Sequence, residues 1–475
     1  MRFLAPLLAA ALAWSVPSFA TAAESPRPNI LLIVADDLGY NDVGFQGGRD
    51  IPTPNLDRLA ASGVRCTSGY VSYPVCSPSR AGFLTGRYQQ RFGHEFNPRW
   101  QTDDGLPLSQ TTIADALRGA GYTTGMVGKW HLGSLPPHHP NRRGFDEFFG
   151  FLGGGHRYLP GSHVDVEIGA GKKAATHDDA EHASPMMRNA TEEPEPPELT
   201  TRLGEEAAAS VTRHARDAKP WFLYVAFNAP HTPLQARPDM LAKFAHIADE
   251  RRRTYAAMVA TEDEAIGRVL AALDATGQRE RTLVFFFSDN GGPMTKRNAN
   301  TSQNGLLRGQ KGDVFEGGIR VPFVVSWPAR LPAGRTYAEP VIALDVLPTA
   351  LAAAGAKRDA KLPALDGVDL VPFLLGEIKS SPHARLHWRM DGGEAFAVRE
   401  GKWKWLRTYQ NAAQLYDLDA DVGESRDLAA KHPDVAARLA AAAAAWNREL
   451  VAPVFVNNPF GGFINLPGPA KAAAP

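Results

Sequence analysis

The sequence predicts an α/β protein: a large, mostly parallel sheet with helices on both faces, followed by a smaller α+β unit. Three observations carry that expectation. Short continuous apolar runs bounded by turn residues recur along the chain, helical patterns fill the intervals, and beyond about Leu375 the pattern changes to alternation. The runs are NILLIVA (29–35), TTGMVG (123–128), WFLYVAF (221–227) and TLVFFFS (282–288). Each is too short and too continuous for an amphipathic helix, and each is rich in β-branched or aromatic residues, as strands buried on both faces are. Strands alternating with helices assemble in parallel, with helices covering both faces.

The elements follow in order. MRFLAPLLAAALAWSVPSFATAAES has one base, Arg2, an apolar run to about Val16, small residues at Ser18, Ala20 and Ala22, and no acid before Glu24. That is the order of a secretory signal peptide, interrupted by proline too often for a membrane span. Residues 1–22 are therefore expected to be removed on export, giving a periplasmic or secreted protein, and no later stretch is apolar and long enough to cross a bilayer. Residues 26–375 are expected to form the main domain. Within it TPNLDRLAASG, TTIADALRGAG and ERRRTYAAMVATEDEAIGRVLAALDATG read as helices ending in glycines suited to C-caps, at Gly63, Gly121 and Gly277. CSPSRAGFLTG reads as a further helix, with a small polar residue near the N-cap and Pro78 near the first turn. The acidic, proline-containing stretch of about 169–197 reads as an exposed insertion. Residues 376–460 are expected to form the α+β unit: a hairpin around Glu400-Gly401, a strand in AQLYDLDAD and a helix in PDVAARLAAAAAAWNREL. Residues 461–475 read as a loose tail.

Formal charge balances at 51 basic and 51 acidic residues, so nothing in bulk points to nucleic acid or an anionic membrane. The chain has two cysteines, Cys66 and Cys76, and a disulfide between them is the plain expectation for an exported protein.

The polar residues that follow the strands carry the chemistry. NILLIVA runs into Asp36-Asp37 and TLVFFFS into Asp289-Asn290. Ligands of open α/β sheets bind at the carboxyl ends of the strands. Three carboxylates meeting there beside an amide carbonyl repel one another unless a cation lies between them, and an all-oxygen set suits a hard divalent ion, Ca²⁺ or Mg²⁺. Either pair alone reads equally well as a helix cap or a turn; two pairs at equivalent positions favour the metal. TTGMVG leads to Lys129 and His131, WFLYVAF to His231, and a glycine-broken loop carries Arg308 and Lys311. A cation site with fixed positive charges and two histidines suits chemistry on a tetrahedral oxyanion. The helix at Cys76 adds a partial positive charge and free N–H groups, with Arg80 one turn in and able to reach back.

Cys76-Ser77-Pro78-Ser79-Arg80 followed by Leu84-Thr85-Gly86-Arg87 resembles the type I sulfatase signature C-x-P-x-R-x-x-x-L-T-G-R. The resemblance continues through GKWHLG, GFDEFFGF, the Ala-Pro-His step at His231, SDNGG, GQKGDVFEGGIRVP and AQLYDLDADVGESRDLA, nearly the whole mature chain. It implies an alkaline-phosphatase-like fold and an arylsulfatase or N-acetylgalactosamine-sulfatase type of enzyme. It also implies a cysteine oxidised to formylglycine by a maturation enzyme, the hydrated aldehyde being the nucleophile. Residue by residue, it places Asp36, Asp37, Asp289 and Asn290 as ligands of one divalent cation, Ca²⁺ ahead of Mg²⁺. Cys76, Arg80, Lys129, His131 and His231 fall on catalytic positions and Lys311 on a sulfate-binding one. On this reading Cys76 is not in a disulfide and Cys66 is a small buried residue.

The function expected is hydrolysis of a sulfate monoester. The alternatives are a phosphodiesterase or phosphonate monoester hydrolase of the same superfamily, or a silent binder of sulfated glycans. For the substrate, the loop FLGGGHRYLPGSH offers His156, Arg157, Tyr158 and His163, which suit a polar sugar, although such a loop is more often simply surface. The resemblance to N-acetylgalactosamine-sulfatase and arylsulfatase types is what implies a sulfated carbohydrate ahead of a simple aryl sulfate. Asn189-Ala190-Thr191 and Asn300-Thr301-Ser302 are glycosylation sequons if the host is eukaryotic.

Overall fold

The structure, a computed structural model, describes residues 27–160, 184–294, 300–409 and 411–456. The expected signal peptide, His163 and the tail 461–475 lie outside these residues. The main sheet has ten strands, in the spatial order Arg335–Tyr337, Val64–Cys66, Phe323–Ser326, Thr282–Ser288, Asn29–Ala35, Trp221–Ala226, Thr123–Lys129, Glu147–Phe151, Met186–Arg188 and Thr191–Glu193. The five from Thr282–Ser288 to Glu147–Phe151 run parallel, and antiparallel pairings flank them on both sides. All four apolar runs are therefore neighbours at the centre, where both faces are covered.

Alternation along one strand shows why these runs are apolar throughout. Ile30, Leu32 and Val34 face one core with Phe83, Ile113 and Leu347, from helices Cys76–Thr85, Ile113–Gly119 and Val346–Ala353. Leu31, Ile33 and Ala35 face the other with Leu56, Leu203 and Ile266, from helices Pro54–Ala61, Leu199–His214 and Glu250–Ala275. A strand between two helical layers has no face left for water.

Gly121 and Gly277 follow their helices at φ of 86° and 67°, the left-handed conformation expected of them. Gly63 differs. A Cβ there would stand 2.5 Å from the Val325 carbonyl oxygen, so the residue is small because a strand passes over it. The stretch expected to be a wholly exposed insertion is also corrected. Met186–Arg188 and Thr191–Glu193 form a hairpin that pairs with Glu147–Phe151 and extends the sheet, with Met186 buried.

The C-terminal sheet is a four-stranded antiparallel meander of Leu386–Met390, Ala395–Glu400, Trp403–Thr408 and Gln414–Asp417. Helix Pro433–Asn447 packs on it through Leu439 and Ala443 against Val398 and Leu415. Only the first of these strands escaped the sequence reading. No helix among the described residues is long and apolar enough to cross a membrane.

Candidate active site

Register brings the acidic pairs together. Ala35 and Ser288 are partners on adjacent parallel strands, so both chains leave the sheet at the same level, and the Asp289 amide donates to the Ala35 carbonyl at 3.0 Å. On the other side Val34 pairs with Ala226 and Ala226 with Gly128, which brings His231 and Lys129 to the same end of the sheet. Asp37 and His131 take left-handed φ of 66° and 58°. Such backbone costs about 1–3 kcal/mol per residue and persists where the surroundings over-determine it.

The side chains interlock. Lys129 Nζ lies 2.5 Å from Asp36 Oδ2, and Lys311 Nζ lies 2.7 and 2.9 Å from the two Asp37 oxygens. Arg80 donates to Asp289 Oδ2 from Nε at 2.9 Å, with Nη2 in an ion pair 2.8 Å from the same oxygen, and from Nη1 to the Lys129 carbonyl and the Tyr224 hydroxyl at 3.1 Å each. Its hydrogen bonds thus go to the strand ends rather than back to residue 76. Cys76 Sγ, a carboxylate oxygen each from Asp36 and Asp37, and a His231 ring nitrogen all lie within 4.8 Å of one another. Asp36, Asp289, Asn290, Arg80 and Lys129 have no exposure, whereas the His231 and Lys311 side chains are each 14 % exposed. His231 and Lys311 therefore stand at the open side of the cluster.

Burial raises the carboxyl of Asp36, but Lys129, His231, Arg80 and Lys311 together outweigh it and hold the group well below the usual range. Asp289 goes the other way, pushed up to about 6 by burial and by the charge of Asp36. One cluster thus holds carboxylates whose environments differ because they repel each other. Lys311 stays charged: burial opposes it, and Asp37 foremost holds its ammonium well above the ordinary value. Burial pushes the Cys76 thiol up to about 12 against the pull of Lys129 and Lys311. Since the thiolate is the nucleophilic form, the unmodified side chain is a weak nucleophile here. His231 is drawn down to about 4 by burial, with Asp36 and Asp37 opposing.

Two atoms test whether the site fits a cation. Asp36 Oδ1 and Asn290 Oδ1 are buried without a hydrogen-bond partner, and Asn290 Nδ2 donates to Asp37 Oδ1 at 2.7 Å, which fixes the amide with its oxygen unused. Buried oxygens left bare in this way are costly unless something positive meets them. Asp36, Asp37, Asp289 and Asn290 fit a hard divalent ion.

Several expectations are corrected. Cys76 itself opens its helix after an uncapped Val75, and Pro78 sits two residues further in. The Ser77 amide donates to Asn97 Oδ1 at 3.3 Å, Pro78 has none to offer, and that of Ser79 is bonded to the Val75 carbonyl, so the helix end gives an anion little. The positive charge comes from side chains instead. Arg308 turns away, donating to the Glu424 carbonyl at 2.7 Å and to the Tyr416 hydroxyl at 3.1 Å. Tyr158 and His156 are each 1 % exposed, and the Tyr158 hydroxyl is taken up by backbone carbonyls. Cys66 is fully buried, and both cysteines are free thiols. Asn300 is buried and donates to the Asp37 and Pro230 carbonyls at 3.0 and 3.2 Å, which rules out a glycan there; Asn189 is exposed.

Sequence reasoning missed the supports behind these residues. Ser77 Oγ lies 2.7 Å from His94 Nε2, and burial draws His94 down to about 3, so a neutral imidazole backs the residue after Cys76. The Tyr158 hydroxyl lies 2.7 and 2.8 Å from the carbonyls of Asn228 and His231. Tyr158→Phe is expected to lower stability by about 1–3 kcal/mol by stranding a buried carbonyl, and to lower kcat by loosening His231. A urea-unfolding midpoint and kcat equal to those of the parent contradict that placement.

Comparison with known proteins decides the family. The family model for sulfatases matches residues 28–356. The chain belongs to the sulfatase family. A second model, the C-terminal region of N-sulphoglucosamine sulphohydrolase, matches residues 310–444. Arylsulfatase A of Bos taurus is 39% identical over 400 residues, covering 81% of this chain and 75% of that protein. N-acetylgalactosamine-6-sulfatase of Mus musculus is 33% identical over 421 residues, covering 84% and 76%. Among solved structures, Ps i-CgsB in complex with k-i-k-neocarrahexaose superposes at a TM-score of 0.83 with 38% identity, covering 90% of this chain and 94% of that one. A phosphonate monoester hydrolase of Agrobacterium radiobacter shares the fold, at a TM-score of 0.62 and 23% identity over 89% and 96%. This sulfatase is a sulfuric ester hydrolase.

Proposed function

We propose that this sulfatase is an exported enzyme that removes sulfate from a carbohydrate, using a formylglycine hydrate made from Cys76. The observation that carries the reading is the meeting of Cys76, Asp36, Asp37 and His231 within 4.8 Å, beside Lys311 at the open side of the site. We take residues 26–375 as the catalytic domain and 376–460 as its C-terminal companion. Asp36, Asp37, Asp289 and Asn290 hold one divalent cation, Ca²⁺ in preference to Mg²⁺. When bound, that cation polarises an oxygen of the sulfate.

The other roles belong to side chains. Lys311 and Lys129 offset charge on the sulfate oxygens. Arg80 adds to that field and keeps Asp289 in place. One hydroxyl of the hydrate gives its proton to the neighbouring Asp37 carboxylate and attacks sulfur while His231 protonates the leaving alcohol oxygen; the anionic ester beside His231 favours the protonated ring that this needs. His131 then takes the proton from the second hydroxyl, sulfate departs and the aldehyde returns. Dividing the reaction in two is covalent catalysis.

The saccharide preference draws on the relative named for N-acetylgalactosamine-6-sulfate and the structural neighbour solved with a neocarrahexaose. A panel of position-defined sulfated mono- and disaccharides, assayed beside an aryl sulfate, a phosphodiester and a phosphonate monoester, tests it. A sulfated sugar is expected to give the highest kcat/KM. A higher value for the aryl sulfate contradicts the saccharide reading, and one for the phosphorus esters contradicts the whole proposal.

A further inference from the structure

A second cluster of buried charge lies where the C-terminal sheet meets the main sheet's loops. Lys404, on the strand Trp403–Thr408, places Nζ 2.9 Å from Glu316 Oε1 and 2.8 Å from Glu424 Oε1, and all three side chains are fully buried. Glu316 also accepts from the Tyr70 hydroxyl at 2.6 Å and from Arg320 at 3.2 Å. Burial opposes its ionisation, but Lys404, Arg320 and Arg399 outweigh that and bring its carboxyl down to about 2. Removing such ions from water costs several kcal/mol each, and apolar residues of similar size serve stability as well or better. The cluster therefore calls for a reason beyond holding the fold.

The segment it grips supplies one. Glu424 holds both ends of the loop that carries Lys311: its carbonyl accepts from Arg308 at 2.7 Å, and its Oε2 accepts from the Glu316 amide at 2.7 Å. The loop closes on itself through Gly317 N to Arg308 O at 2.6 Å. It reaches the reacting centre at two points, Gly312 N to Pro74 O at 2.8 Å and Gly291 N to Gly318 O at 3.0 Å, beside Cys76 and Asn290 respectively. The glycines permit this approach; a Cβ on Gly291 would stand 1.8 Å from the Gly317 carbonyl oxygen.

We propose that Glu424 and Lys404 are positioning residues that set Lys311 for the sulfate group, so that docking of the C-terminal sheet completes the active site. This rests on the reading of Lys311 as a sulfate contact.

A double-mutant cycle separates the two claims. Glu424→Gln and Lys404→Met are made alone and in a Lys311→Ala background, in the full-length matured enzyme, with kcat, KM and Tm measured for each. Misplacing a catalytic group by about 1 Å costs up to about a hundredfold. Each single variant is therefore expected to lower kcat/KM by about ten- to a hundredfold, and neither to lower it further once Lys311 is alanine. Loss of equal size in both backgrounds, or no loss in the parent background while Lys311→Ala is impaired, overturns the positioning role alone. Unchanged kcat/KM in Lys311→Ala overturns the sulfate contact and the positioning role together. Glu424→Gln, nearly identical in shape, carries the test if Lys404→Met does not fold.

Discussion

Asp289→Asn is expected to lower turnover by about a thousandfold while the protein stays folded. The amide keeps the shape of the side chain but removes one of the charges that make the oxygen cluster attractive to a hard cation. It also removes the charge that pairs with Arg80, whose Nη2 is then left with Asp36 at 3.7 Å as its remaining acidic partner. Breaking a buried pair in this way costs about 3–5 kcal/mol, so Tm falls as well. The two effects separate by titration: millimolar Ca²⁺ is expected to restore part of the turnover if Asp289 is a ligand, and none if it serves only to anchor Arg80. Elemental analysis of the parent should find one Ca²⁺ or Mg²⁺ per chain; stoichiometric zinc favours the phosphohydrolase alternative. Near-parent turnover of the variant in metal-depleted buffer contradicts the ligand assignment.

The two histidines should fail at different steps. His231→Ala removes the proton donor, so attack slows most for poor alcohol leaving groups, by about a hundred- to ten-thousandfold, and least for an activated phenol. His131→Ala leaves the first step intact and blocks release. It is expected to give a burst of alcohol equal to the enzyme present and a covalent sulfo-adduct on residue 76, visible in the intact mass after quenching. A burst and adduct from His231→Ala but not from His131→Ala reverse the assignments. The structure gives the pair unequal settings, His231 partly open beside Asp37 at 3.6 Å and His131 nearly buried on a left-handed backbone.

What the sequence revealed and what it hid have physical reasons. NILLIVA and TLVFFFS were legible because a strand covered on both faces is apolar throughout, and the acids after them because charge ends such runs abruptly. Asn300 was not legible. It looks like any loop asparagine until Asp37, far off in the sequence, is found beneath it, and its sequon pointed outward. Tyr158 misled in the same way, since a tyrosine in a glycine-rich loop reads alike whether it faces substrate or props up His231. Arg308 and Lys311 share one loop and one charge sign, yet they turn to opposite partners, Glu424 and Asp37. The edge hairpin at 186–193 has strands of three residues each, too short for any periodicity to register.

The mass of the peptide carrying residue 76, taken from an active preparation, tests the central claim most directly. Cysteine converted to formylglycine loses one sulfur and two hydrogens and gains one oxygen, and an aldehyde-reactive hydrazide should label that peptide and no other. The account predicts that the converted fraction rises and falls with specific activity across preparations, and that Cys76→Ala is both unlabelled and inactive. An active enzyme whose peptide carries only the intact thiol contradicts it.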